Sequence, residues 1–340
     1  MGPLDMALSN VGMKPNNTSR LERTPQCVMS VPPSWPRLPS RAAYIVLNNA
    51  KRRNALSTET LQGLRRQLIE HNTSRQSGRL TLLPPFEESL LDDLEGALRA
   101  PHSALADDYG WLVSRQQWEA ERKDLPHVLV LRAEGPVFSS GHDLGEIRDL
   151  SAQGIRDLFD LCAQVMTLIR RSPIPVVGAI RGLATAAGCQ LALNTDIPVA
   201  QASTQFRLPG TATGFPCSSP VTAVSRRFGD AFGYRLLSLA ETYRADQLPG
   251  GGVEVVPDDE DYEKRLAEIV SRFAEQTPPR PQALAKWAYW TQAGMQTDAS
   301  GGDGMVKAAL WSGRVMALHL QTEEGKDSME SFFNRKKAKL

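Results

Sequence analysis

Few of this chain's residues suit metal, redox, membrane or nucleic-acid chemistry. It holds only four cysteines and five histidines in 340 residues. Cys27, Cys162, Cys189 and Cys217 include no C-x-x-C pair, and the histidines fall at no zinc-ligand spacing, so no metal centre is expected. Without a disulfide-rich pattern, a reducing compartment with free thiols is the expectation. Charge of either sign is not in excess: 39 Lys and Arg face 38 Asp and Glu, for a formal net charge of +1. That balance supplies no basic field for nucleic acid. No apolar run approaches the roughly 20 residues that cross a bilayer, so no membrane span is expected.

The polar, Pro-rich residues 1–40 lack the apolar stretch of a secretory signal. Arg20, Arg23 and Arg37 would suit a mitochondrial presequence, against which Asp5 and Glu22 count. The last residues are Arg335-Lys336-Lys337-Ala338-Lys339-Leu340. Ala338-Lys339-Leu340 is close to the Ser-Lys-Leu peroxisomal address, so peroxisomal import through its receptor is expected, with the mitochondrion as alternative.

Hydrophobic periodicity divides the chain into a variable tail over 1–40, an α/β core over 41–248 and a helical segment over 249–340. Tyr44–Leu47, Val128–Leu131, Pro175–Ile180, Asp196–Ala200 and Thr204–Phe206 read as strands, several as continuous apolar runs of a sheet covered on both faces. Ser57 is placed to cap a helix with Leu61, Leu64 and Leu68 on one face. Further helices are expected near 155–171, 187–193 and 220–239, an alternation that indicates an α/β fold of repeated strand–strand–helix turns. Residues 72–126 break the rhythm and read as an insertion with helices near 90–98 and 111–122. Beyond Gly250-Gly251-Gly252, helices are expected over 260–276, 282–294, 303–320 and 325–336, packed on the core or on a neighbouring subunit.

Two segments carry the chemistry. In Phe138-Ser139-Ser140-Gly141-His142-Asp143-Leu144 a buried strand ends in a small-residue turn, and a helix then starts at Asp143. In Gly182-Leu183-Ala184-Thr185-Ala186-Ala187-Gly188-Cys189-Gln190-Leu191, tiny side chains stand at a helix start. Such positions leave backbone N–H groups open to a carbonyl or an oxyanion. Two converging donors would polarise a thioester, each worth about 3 kcal/mol in a transition state.

With Asn54-Ala55-Leu56-Ser57 and Pro173–Ala200, these segments resemble the enoyl-CoA hydratase/isomerase (crotonase) superfamily from about residue 44 to the C-terminus. The resemblance implies a crotonase-like spiral of repeated ββα units with a helical C-terminal segment. It implies an acyl-CoA thioester as substrate or ligand, no permanently bound cofactor, and a homo-trimer or dimer of trimers. Oxyanion donors would be the backbone N–H groups of Ser140 and Ala187. Ala55, Leu56, Ser139 and Asp143 would line the coenzyme A path, and Lys51, Arg52 or Arg53 would meet its phosphates. Lys336 and Lys337 are further candidates for that contact.

The pattern breaks where hydratases of the superfamily place two glutamates: here stand Gln190 and Gly210. An amide orients water but does not remove a proton near neutral pH, and glycine has no side chain. His142, next to the first donor, has the pKa range for proton transfer; Thr185, Cys217, Ser218 and Ser219 are other groups near the pocket. Bland readings stand beside these: His142 bonded to backbone, Cys217 a small buried hydrophobe, Asp143 a helix cap. Three functions remain open: an acyl-CoA enzyme relying on its oxyanion hole, a non-catalytic acyl-CoA binder, and a hydratase or isomerase using His142 or a substrate-held water.

Overall fold

The computed structural model describes residues 31–87, 89–91, 93–94, 104–258, 260–295, 317, 326 and 329–334. Lys336, Lys337, Ala338-Lys339-Leu340, Cys27, most of the tail and all but Ala317 of the helix expected over 303–320 lie outside the described residues.

The chain runs through β1 (Ala42–Leu47), α1 (Thr58–Asn72), α2 (Ala104–Val113), α3 (Arg115–Arg122), β2 (Val128–Ala133), α4 (Leu144–Asp149), α5 (Ala152–Arg171), β3 (Val176–Ile180), β4 (Leu183–Thr185) and α6 (Ala187–Asn194). It continues through β5 (Ile197–Gln201), β6 (Gln205–Arg207), α7 (Gly210–Thr213), α8 (Ser218–Phe228), α9 (Asp230–Leu239), β7 (Thr242–Arg244), β8 (Glu254–Val256), α10 (Tyr262–Ser271) and α11 (Pro279–Met295). Five parallel strands form one sheet in the order β1-β2-β3-β5-β8. β4, β6 and β7 form a second, with β4 and β6 parallel and β7 antiparallel to β6.

Both faces of the large sheet are covered, which is why its strands read as unbroken apolar runs. On one face Ile45, Leu129, Leu131, Val176 and Ile180 join Leu61, Leu64 and Leu68 of α1 and Leu158, Val165 and Ile169 of α5. On the other, Val128, Val130, Val177 and Val199 meet Tyr262, Leu266 and Val270 of α10. Ser57 caps α1 by accepting from the Thr60 N–H. Among the described residues no helix is long and apolar enough to cross a membrane.

Four details depart from the sequence reading. Gly229, at φ 85°, splits the helix expected over 220–239 into α8 and α9. Ser114 divides the helix expected over 111–122 and caps α3 by accepting from Gln117 N–H. Glu254–Val256 forms the fifth strand of the large sheet inside the segment expected to be helical. A π-helical turn over Arg272–Gln276 ends the helix expected over 260–276.

Described residues of the expected insertion build a separate small core. Leu83, Phe86, Trp111, Leu112 and Trp118 pack there with Ala283 and Trp287 of α11. Trp287 Nε1 donates to Pro85 O at 3.0 Å, and Arg280 donates to Val113 O at 3.2 Å. The insertion thus fastens α11 to the body.

Candidate functional site

Three loops at the carboxyl ends of β1, β2 and β3 meet, and one asparagine fastens two of them. After β1 the chain makes a 3₁₀ turn at Ala50–Arg52, then takes left-handed backbone at Arg53 (φ 54°) and Asn54 (φ 51°). Asparagine tolerates that conformation better than most residues. The buried Asn54 amide donates to Glu134 O and Val137 O, both at 2.8 Å, so the first loop is held against the second. Ser139 Oγ returns a bond to Asn54 O at 2.8 Å, and Leu56 N–H donates to Gly141 O at 2.8 Å.

The second and third loops join through a bridge between Ser139 and Ala184. Ser139 N–H donates to Leu183 O at 3.1 Å, and Thr185 N–H donates to Ser139 O at 3.0 Å. Gly141 is required here. It has φ 84°, and a Cβ would lie 2.8 Å from Ala186 Cβ and 3.1 Å from Ala187 N. A side chain at Gly188 would likewise overlap Ser139 O.

Ala187 is the first residue of α6, and its cap, Ala186, supplies no side-chain acceptor. Ala186 itself stands at φ 51°, ψ −126°, a conformation in which an alanine is strained. Among the described residues the Ala187 N–H has no hydrogen-bond partner, and the helix dipole adds partial positive charge to it. The Ser140 N–H differs: it donates to Arg53 O at 3.0 Å. Of the two expected donors, Ala187 is open and Ser140 is engaged.

His142 is wedged rather than poised. Its Nδ1 bonds Leu56 O at 3.2 Å and its ring meets Phe159 edge-on, with centroids 4.8 Å apart. A carbonyl only accepts, so Nδ1 carries the proton and Nε2 the lone pair. Burial pushes the imidazole down to about 4, only partly offset by Leu56 O and Glu146, so it is neutral near pH 7. Such a group is a weak proton acceptor, which counts against His142 as a base.

Asp143 departs from the expected coenzyme A contact. Its carboxylate accepts from Gly145 and Glu146 N–H at 3.0 and 3.2 Å, capping α4, and pairs with Arg52 at 2.8 Å. That use follows from its place before a helix start, where a short carboxylate satisfies the orphan donors. Lys51, Arg52 and Arg53 are exposed on their turn, while Ala55, Leu56 and Ser139 are buried, the backbone N–H and O of Leu56 and Ser139 already bonded within the loops.

Gln190 is buried on α6, its Oε1 accepting from Ser219 Oγ of α8 at 3.2 Å. Gly210 is closed to any larger residue: a Cβ would overlap Phe215 O and lie 2.5 Å from Cys217 Sγ. Burial pushes the Cys217 thiol up to about 11, so it is neutral and fills space. The resemblance alone brought Gln190 and Gly210 to notice. Asn54 and Ser219 were missed as organisers; an Asn directly after a basic turn is the one cue for the first.

The family model for enoyl-CoA hydratase/isomerase matches residues 116–339. The chain belongs to the enoyl-CoA hydratase/isomerase family. It is 30% identical over 317 residues to mitochondrial enoyl-CoA hydratase domain-containing protein 3 of Rattus norvegicus, covering 90% of this chain and 85% of that one. The crystal structure of the human enoyl-CoA hydratase domain-containing protein 3 superposes with a TM-score of 0.56 at 27% identity, covering 88% of this chain and 96% of the other. A crotonyl-CoA hydratase of Syntrophomonas wolfei is 27% identical over 214 residues, 62% of this chain and 79% of its own length. The sheets described above are therefore the crotonase-like fold, and the family ties the chain to acyl-CoA chemistry.

Proposed function

We propose that this protein binds an acyl-CoA thioester and polarises its carbonyl through backbone donors, without the paired acid and base of a hydratase. The open Ala187 N–H at the uncapped start of α6, beside the side-chain-free face of Gly141, carries this reading. Ser140 N–H becomes the second donor if a ligand's oxygen displaces Arg53 O. Ala55, Leu56 and Ser139 line the coenzyme A path, with Lys51 and Arg53 toward its phosphates. The filled space at Gly210, the tethered Gln190 amide and the neutral His142 all disfavour hydration and double-bond shift. Chemistry that depends on enolate or oxyanion stabilisation fits better, such as decarboxylation of a malonyl-type thioester or thioester hydrolysis. No permanently bound cofactor is required.

The bond from Ser140 N–H to Arg53 O favours a second reading, a non-catalytic acyl-CoA binding or scaffold protein. Incubation with enoyl-, 3-hydroxyacyl-, malonyl-type and saturated acyl-CoAs, with products read by mass spectrometry and affinity by calorimetry, separates the readings. Binding without product supports the scaffold. Turnover of enoyl-CoA that disappears in His142→Ala would revive the hydratase. Ala187→Pro deletes the N–H, and unchanged binding and turnover in that variant would refute the proposed donor.

A homo-trimer or dimer of trimers is part of the same proposal, supported by the exposed Tyr234 and Leu239 of α9 next to β7, at the edge of its sheet. The destination is proposed as peroxisomal on Ala338-Lys339-Leu340. The Rattus relative's name, which places that protein in mitochondria, supports the alternative.

A further inference from the structure

Side chains alternate across a strand, so each apolar row on the outer face of the large sheet has a predictable next member. Val128 and Val130 of β2, Val177 and Ala179 of β3, and Ile197 and Val199 of β5 share that face with α10. Two residues further along the same rows come Arg132, Arg181 and Gln201. Three neighbouring strands therefore turn polar together at their carboxyl ends, where open α/β sheets commonly place ligand clefts. A cleft of about 660 Å³ opens there, bounded also by Trp35, Ser203 and Glu263. Its lining includes neither Ser140, Ala187 nor any other residue assigned above to the thioester.

The charges in this cleft do not cancel. Arg132 makes a two-pronged pair with Glu263 at 2.7 and 2.8 Å, under the Trp35 indole at 4.9 Å. Arg181 reaches the same carboxylate only at 3.7 Å, and its Nε donates to Gln201 Oε1 at 3.1 Å. Half of the Arg181 side chain is exposed, so its guanidinium is accessible from the cleft. Beyond the lining, Asp258 accepts from Ser203 N–H and Oγ–H and pairs with Arg244 at 3.3 Å, a guanidinium that Asp246 also holds at 3.0 Å. Among the residues that line the cleft, two guanidinium groups thus share one carboxylate. Cavities of a few hundred Å³ with an apolar wall and a few polar anchors suit small organic molecules.

We infer that this cleft is a second ligand site, taking a small organic molecule with a single carboxylate. The Arg181 fork receives the carboxylate, a geometry guanidinium groups favour. Trp35 and Pro36 receive the organic body, and Arg181, whose nearest carboxylate stands at 3.7 Å, offers one fork, which suits a single carboxylate better than a phosphate dianion. The cleft shares Gly135, Pro136 and Gly182 with the roots of the loops that carry Ser140 and Ala187. Gly182, at φ 76°, lies so close to Pro136 O that a Cβ would overlap it.

The test titrates the full chain, free of coenzyme A thioesters, with benzoate and butyrate by calorimetry and tryptophan fluorescence. Benzamide and inorganic phosphate serve as comparison ligands. Saturable benzoate binding is expected, weakened about tenfold or more in Arg181→Ala through loss of a charge-assisted bond. Gln201→Glu, which supplies Arg181 with a competing carboxylate, is expected to do the same. Arg181→Lys, which keeps the charge but loses the fork, is expected to weaken binding less than Arg181→Ala does; benzamide does not bind, and Trp35→Phe abolishes the fluorescence response. Equal benzoate affinity in wild type and Arg181→Ala would overturn the inference, as would the absence of saturable binding by both carboxylates. Phosphate binding as tight as benzoate would overturn the carboxylate assignment.

Discussion

Gly210→Ala asks whether the second proton-transfer position was merely vacated or has been built over. The added Cβ would overlap the Phe215 carbonyl oxygen and lie 2.5 Å from Cys217 Sγ and 3.1 Å from Cys217 Cβ. The Phe215 oxygen is backbone, and only Cys217 Sγ ends a side chain, one that turns about a single bond in a buried place. Phe215 N–H is itself bonded back to Gly210 O at 2.8 Å, and Cys217 holds a left-handed backbone at φ 42°. The 210–217 loop must therefore shift as a unit, and overpacking of this kind costs about 1–3 kcal/mol. Cys217→Ala removes the sulfur overlap but not the carbonyl overlap. The double variant should therefore recover roughly 1 kcal/mol of the loss relative to additivity. Urea denaturation midpoints measure all four corners of the cycle. A glutamate at 210 meets the same wall and adds a carboxylate to a place where burial already pushes a thiol up to about 11. Gly210→Glu combined with Gln190→Glu is accordingly expected to be unstable and to leave the enone absorbance of crotonyl-CoA unchanged. A Gly210→Ala midpoint equal to wild type, or hydration by the double glutamate variant, would refute the argument.

His142 makes stability depend on acid. Its folded value near 4 lies below the ordinary 6.5, so the unfolded chain binds the extra proton first. The contribution is complete above pH 6.5 and is lost as pH falls toward 4, by at most roughly 3 kcal/mol. Denaturation midpoints across that window should show an acid limb that His142→Gln flattens, and NMR of the imidazole should show no titration between pH 6 and 7. Lys286 Nζ pairs with Asp196 at 2.7 Å in a buried place and also donates to Ile169 O. Lys286→Met strands that carboxylate and should cost about 3 kcal/mol by urea unfolding. On the proposed peroxisomal destination, a fluorescent fusion should colocalise with peroxisomes and lose that colocalisation without Ala338-Lys339-Leu340; colocalisation with mitochondria in both forms would turn the assignment to the alternative.

The parts of the fold legible in the sequence are those written in runs. Val128–Leu131 and Val176–Ile180 announce themselves because a doubly covered strand has no polar face to interrupt it. Ser57 and Asp143 announce helix starts because a short oxygen-bearing side chain there has orphan N–H groups to satisfy. Glu254–Val256 was lost among helical signals because three residues set no period. Its strand character comes from pairing with β5 across more than fifty positions of chain.

The candidate site was legible to a different depth, because small residues mark where backbone is exposed but not what that backbone is bonded to. Gly141 and Ala187 had to lie against one another for the motif to make sense, and the Gly141 Cβ position 3.1 Å from Ala187 N places them so. Nothing in Ser139-Ser140-Gly141 shows that the Ser140 N–H is bonded to Arg53 O. That contact depends on two consecutive left-handed residues, Arg53 and Asn54, held by the buried Asn54 amide. The same contact separates a receptive pocket from a resting one. A thioester oxygen reaching both Ala187 and Ser140 must displace a neutral peptide carbonyl, an exchange favoured as negative charge develops on that oxygen. If the proposed donors act together, such a pocket would discriminate against uncharged carbonyls and favour an enolate or tetrahedral oxyanion. On the proposed catalytic reading, Gln190 and Gly210 in place of acids, together with a Ser140 donor freed only by a charged oxygen, point to the same chemistry, in which charge on the thioester oxygen is stabilised; on the scaffold reading, the Arg53 O contact simply stays closed.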